Sequence, residues 1–174
     1  RFAGFEALPE ISNAVPESTR KVGVFVNETN EQVLTVSRAW SLDVVQLHGQ
    51  ETPEYCKQIQ QSGLIVFKAF SVDDTFNFEV LKDYEDCCNY FLFDTKGRLP
   101  GGTGQKFNWQ LLESYAMNVP FFLSGGIGPD DLESIKSFMH PQLFGIDINS
   151  GFEISPALKD VKKVQSFISG IKYK

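Results

Sequence analysis

The chain has 174 residues, 42% of them hydrophobic and 22% charged, which makes a soluble globular protein with a sizeable core the default. Its formal net charge of −6 argues against a general nucleic-acid binder, which needs basic surface to displace counterions. No apolar run approaches the ~20 residues that cross a bilayer, and no charged start followed by an apolar stretch marks a signal peptide.

Arg1–Arg20 reads as a loop and a weak helix. The chain begins at Arg1, without Met, in loop-like sequence, so a removed start or an earlier segment is expected. Lys21–Val26 reads as a strand. Thr29 and Gln32 then have capping-box spacing, and Val33, Val36 and Trp40 share one helical face. Val44–Leu47 is the second strand, and Thr52-Pro53 places a cap before a first-turn proline. Leu64–Ala69 follows as a strand. Asp73 and Asp74 open a third helix whose apolar set includes Phe78 and Leu81. Tyr90–Asp94 is a very apolar strand, followed by a glycine-rich stretch, Thr95–Phe107, that reads as an active-site loop or a plain surface loop. Asn108 caps a helix with Leu111, Leu112 and Tyr115 inward. Phe121–Ser124 is a strand, and Pro129 starts a helix with Leu132, Ile135 and Phe138 on one stripe. Leu143–Ile148 is the last strand. Ser155-Pro156 opens the last helix, with Leu158, Val161, Val164, Ile168 and Ile171 inward.

These are six consecutive βα units with no linker or change of composition, hence one α/β domain over residues 1–174. Continuous apolar strands suit a parallel sheet buried on both faces. An open doubly wound sheet and a closed (β/α)8 TIM barrel both fit. A barrel needs eight units, so the second reading expects an N-terminally incomplete barrel. Strands three to eight would be present, and roughly one and a half βα units would precede them.

Glycine turns favour the barrel. Ser124-Gly125-Gly126 and Asn149-Ser150-Gly151 follow the last two strands, where barrels often build a phosphate site from backbone N–H groups. The plain alternative is two tight turns. Asp94 ends an apolar strand on the face that carries barrel chemistry. It reads as a general acid with a raised pKa, or as a helix cap or partner of Lys96. Alternation sends Gln46 and His48 to one side of their strand, so His48 is either a site residue or a satisfied structural one. Asp147, inside an apolar strand, needs a hydrogen-bond partner and orients either substrate or a loop. Lys68 is a Schiff-base candidate or an ion-paired strand residue. His140, at the opposite end of its strand, reads as structural. Three cysteines, Cys56, Cys87 and Cys88, have no metal-ligand spacing; a reduced, cytoplasmic setting without a metal is expected.

Together these pieces resemble phosphoribosylanthranilate isomerase of tryptophan biosynthesis. The matching segments are Val22–Asn27, Val45–Gly49, Phe93–Thr95, Gly101–Gly104 with Phe107–Trp109, Leu123–Gly126 and Asp147–Gly151, in the family's order and spacing. The resemblance implies an Amadori rearrangement of N-(5′-phosphoribosyl)anthranilate without cofactor or metal. It implies Asp94 as general acid and Gly125, Gly126, Ser150 and Gly151 at the phosphate. It also implies Gln46, His48, Gly102 and Asp147 along the substrate, with Arg1, which precedes Phe2, at the anthranilate carboxylate. The family's general base is a cysteine on an earlier strand, matched by none of Cys56, Cys87 or Cys88. A polypeptide of these residues alone is therefore expected to be inactive, with barrel edges open to pairing with another chain or a second copy. The competing readings are a sugar-phosphate epimerase, an indole-glycerol-phosphate synthase, or a non-catalytic phosphometabolite-binding fragment. No nucleic acid or membrane is expected as a partner.

Overall fold

The apolar runs fold into a sheet whose strand order follows the chain. In this computed structural model, which describes residues 15–95 and 107–171, the order is β1 (Val22–Phe25), β2 (Val44–Leu47), β3 (Ile65–Val72), β4 (Tyr90–Thr95), β5 (Phe121–Leu123) and β6 (Leu143–Ile146). Contacts group the chain into two compact units. One holds the described residues up to Ala69 with Leu81–Tyr90; the other holds Phe70–Val80 with the described residues from Phe91 on. Among the described residues no helix is long and apolar enough to cross a membrane.

In the first unit β1 pairs parallel with β2, and β2 with β3, with Leu47 opposite both Phe25 and Lys68. Each crossover is a helix: α1 (Asn30–Trp40) and α2 (Pro53–Gln61). Thr29 Oγ1 accepts from Gln32 N at 3.2 Å and Thr52 Oγ1 from Tyr55 N at 3.3 Å, so both expected caps form. Val33 and Ser37 on α1, and Cys56 and Ile59 on α2, are buried at helical spacing against a fully buried β2. Val44, Val45, Leu47, Val66 and Leu81 complete this core, each such side chain contributing roughly 1.5–3 kcal/mol by burial. β1 is buried on neither side: Gly23 and Phe25 are half-buried, and Val22, Val24 and, just after the strand, Val26 are exposed.

In the second unit β4 pairs parallel with β5 and β5 with β6, with a register shift between Phe121 and Phe122. Its core is aromatic. Phe93 meets Phe121 at 5.2 Å and Tyr115 at 5.4 Å, while Tyr115 meets Phe121 edge-on at 5.4 Å. The Tyr115 hydroxyl is satisfied by Val119 O at 2.6 Å. His140 is structural, as its position implied. Its Nδ1 accepts from Gln142 N at 3.1 Å, and Nε2 lies 3.2 Å from Tyr115 O.

Three connections depart from the sequence reading. The expected third helix is a 3-10 helix, Phe78–Tyr84. Asp73 instead folds a local turn, accepting from Thr75 N and Oγ1, and Asn77 accepts from Glu79 N. Such Asx turns compete with an α-helical start. The fourth is also 3-10, Trp109–Ser114, begun by Asn108 as expected. The fifth starts as a 3-10 turn, Pro129–Asp131, and continues as α3 (Leu132–Ser137). At the end of the chain, Ser155-Pro156 does not open a helix. β7 (Glu153–Ser155) and β8 (Leu158–Lys159) form an antiparallel hairpin there, with Ala157 at φ 70°. α4 (Val161–Gly170) begins only after Asp160. Its inward side chain is Phe167, packed 4.8 Å from Phe152, whereas Leu158, Val161 and Ile168 are exposed.

Candidate active site

Parallel βα units carry their chemistry at the C-terminal ends of the strands. In the second unit Asp94 is the penultimate residue of β4 and half-buried. Its Oδ1 accepts from Thr95 N at 2.9 Å. The Thr95 hydroxyl accepts from Phe107 N at 3.2 Å, so the two ends of the Thr95–Phe107 stretch meet. Lys96, Gly102 and the rest of the glycine-rich stretch, like Arg1, lie outside the described residues.

Both expected glycine turns adjoin this strand end or one another. Gly125 and Gly126 have φ of 92° and 68°, a left-handed pair that favours glycine. A Cβ on Gly125 would overlap the Thr95 hydroxyl and stand 2.5 Å from its backbone nitrogen, so the turn rests directly on the residue after Asp94. Gly151 packs against the backbone of the first turn: a Cβ there would overlap Ile127 O and lie 3.1 Å from Gly128 Cα. Ser124 Oγ donates to Asp147 Oδ2 at 3.1 Å, and Asp147 N to Leu123 O at 2.8 Å. Asp147 thus ties the turns after β5 and β6 together, and Ser150 begins the short 3-10 turn that follows. Asp94, Gly125, Gly126, Asp147, Ser150 and Gly151 therefore belong to one neighbourhood. The buried Asp131 braces it, accepting from Gly128 N at 2.7 Å.

The first unit holds Gln46 and His48. Gln46 is buried in β2, and its Nε2 donates to His48 Nδ1 at 3.1 Å, as alternation predicts. That bond leaves the proton of a neutral ring on Nε2. Lys68 takes its ion-paired alternative: Nζ lies 3.2 Å from Glu51 Oε2. Glu51 was missed by the sequence reading. The signal was Lys68 itself, since a cation in an apolar strand requires a buried anion.

The cysteines are buried near this pair. A hydrogen bond with Cys88 holds the Cys56 thiol below its ordinary value, against the effect of burial and helped by the Lys68 charge. The same bond, and then burial, push Cys88 up. Burial likewise pushes the Tyr84 phenol up to about 12. Among the described residues no group of three or more His, Cys, Asp and Glu is arranged to hold a metal ion.

Residues 3–170 match the family model for N-(5'phosphoribosyl)anthranilate (PRA) isomerase. The chain belongs to the phosphoribosylanthranilate isomerase family. It is 47% identical to the N-(5'-phosphoribosyl)anthranilate isomerase of Parabacteroides distasonis, over 88% of this chain and 70% of that protein. It is 45% identical to that of Phocaeicola vulgatus, over 99% and 88%. Its fold superimposes on the crystal structure of the Thermotoga maritima isomerase with a TM-score of 0.84 at 34% identity, covering 96% of this chain and 80% of that one. A second solved phosphoribosylanthranilate isomerase, in complex with reduced 1-(o-carboxyphenylamino)-1-deoxyribulose 5-phosphate, gives a TM-score of 0.80 at 31% identity, over 97% and 79%. The parallel α/β sheet is thus that of the family's TIM barrels, as expected from the glycine turns.

Proposed function

We propose that this protein converts N-(5′-phosphoribosyl)anthranilate to 1-(2-carboxyphenylamino)-1-deoxyribulose 5-phosphate, in tryptophan biosynthesis, with Asp94 as the general acid. Asp94 protonates the furanose ring oxygen. The anilino nitrogen lone pair then forms the C1′=N bond as the C1′–O bond breaks. Loss of the C2′ proton gives an enolamine, which tautomerises to the ketone. Cys56, Cys87 and Cys88 are buried in their own network and are assigned no part in that deprotonation. The substrate phosphate sits on the turns at Gly125-Gly126 and Ser150-Gly151, where left-handed glycines let backbone N–H groups approach an anion. Asp147 orients the two turns, and Gln46 and His48 contact the substrate. Arg1 and Gly102 keep the substrate-binding roles that the resemblance implies. The reaction draws on no cofactor, and three free cysteines suit a reducing, cytoplasmic compartment.

The observation that supports this reading most is the contact of the Gly125 turn with the strand end that carries Asp94, and of the Gly151 turn with the Gly125 turn. The test is steady-state turnover in the natural protein. Asp94→Asn should lower kcat by about 10²–10⁴-fold while KM stays within a few-fold, the size expected of a lost general acid. Equal kcat in the variant and the parent would refute the role.

A further inference from the structure

The ends of β1 and β2 are joined to the middle of β3 by a buried ion pair. Glu51 and Lys68 side chains are 2% and 3% exposed, with Oε2 and Nζ 3.2 Å apart. Two charges taken this far from water are expensive unless most of their lone pairs and protons are used. Here they are used on backbone. Glu51 accepts from Asn27 N at 2.8 Å, after β1, and from Gly49 N at 2.9 and 3.1 Å, after β2. Lys68, on β3, donates to Gly49 O at 2.9 Å, Ala69 O at 2.9 Å and Leu47 O at 3.3 Å. The N–H and the carbonyl of Gly49 are therefore held by opposite charges of one pair, and the carbonyl of Leu47 is held as well.

His48 lies between those two gripped residues. Its own N–H donates to Phe25 O at 2.8 Å, and its ring is held by Gln46. Asn27, whose N–H Glu51 holds, completes the same turn. Asn27 adopts φ 52°, its Oδ1 accepts from Gln50 N at 2.6 Å, and its side chain fills the space a Cβ on Gly49 would need. A pair serving stability alone needs no such focus on one peptide, and buried pairs are on average poor stabilisers.

We infer that Glu51 and Lys68 are positioning residues that fix His48 for the substrate. This rests on the reading of His48 as a substrate contact in the proposed isomerase. A displacement of about 1 Å can cost on the order of 10²-fold in rate, so loss of the grip reaches kcat/KM through His48.

The test is a double-mutant cycle in the natural protein. Glu51→Gln should lower kcat/KM about ten-fold or more, and the same change in a His48→Ala background should alter it less than about two-fold. A single change leaves a buried charge unpaired, so Glu51→Gln/Lys68→Met, which removes both, is the variant expected to keep its fold and still show the loss. Long-range proton–nitrogen NMR on the unmutated protein should find His48 protonated at Nε2. Four outcomes overturn the inference: kcat/KM unchanged within two-fold, an equal loss without His48, protonation at Nδ1 of the unmutated protein, or a His48→Ala change that leaves kcat/KM unaltered. Turnover by the parent protein, lowered in Asp94→Asn as predicted above, shows separately whether the isomerase reading stands.

Discussion

Gly125 is where backbone conformation and site chemistry meet. Its φ of 92° lies in the region that costs an L-residue about 1–2 kcal/mol. An added methyl would also meet Thr95, whose backbone nitrogen and Cβ stand 2.5 and 2.9 Å from it. Thr95 belongs to β4 and is tied to Phe107, so the turn must yield instead. Gly125→Ala should therefore raise KM for the phosphorylated substrate about ten-fold, the equivalent of 1.4 kcal/mol, and change kcat less. Steady-state kinetics decide this, and an unmoved KM would remove the turn from the phosphate site. The glycines and Asp94 were legible because each ends an apolar strand, where a turn or a carboxylate stands out. Glu51 was not. It sits in the polar stretch Gly49-Gln50-Glu51-Thr52, and its burial depends on Lys68, supplied by another strand.

Elements were legible to the extent that one local signal dominated them. β2 was bounded correctly because Val44, Val45 and Leu47 form an apolar run interrupted only by Gln46, and the starts of α1 and α2 were placed because Thr29 and Thr52 cap them. The 3-10 segments were not distinguished from α-helices, since one turn of apolar spacing reads the same with i→i+3 or i→i+4 bonding. The start of α4 was misplaced for a different reason. Ser155-Pro156 has a helix-opening pattern, but the hairpin of β7 and β8 takes it, and Asp160 then caps the helix through Lys163 N at 3.1 Å. The two sites make opposite predictions. Asp160→Ala should cost about 1 kcal/mol, as for a lost N-cap. The Asp160–Lys163 pair, exposed and 3.9 Å apart, adds little to that. Ser155→Ala should stay within about 0.5 kcal/mol. Urea denaturation of the two variants measures both, and the reverse order would mean that the helix starts where the sequence suggested.

At the scale of the whole molecule, exposed apolar surface competes with charge. Among the described residues β1 and β6 are the ends of the strand order. Each presents apolar side chains to solvent, with Val24 and Phe144 both 59% exposed. An edge strand with free ladder groups and apolar side chains is a template for pairing with another chain. The opposing force is a net charge of −6, spread over a 174-residue chain and screened beyond roughly 8 Å at physiological salt. Strand pairing and apolar contact act at shorter range than that, so charge slows encounter without preventing adhesion. A polypeptide of these 174 residues should therefore self-associate at neutral pH. Association should strengthen as pH falls toward the sequence pI of about 4.9, where the charge vanishes. Val24→Lys should weaken it, because a lysine on an edge strand disfavours pairing while lying in solvent. Sedimentation velocity across a concentration series would show the shift. A single monomeric boundary at every concentration and at both pH 7 and pH 5 would mean that these edges are shielded, and that exposure at Val24 and Phe144 has no consequence for assembly.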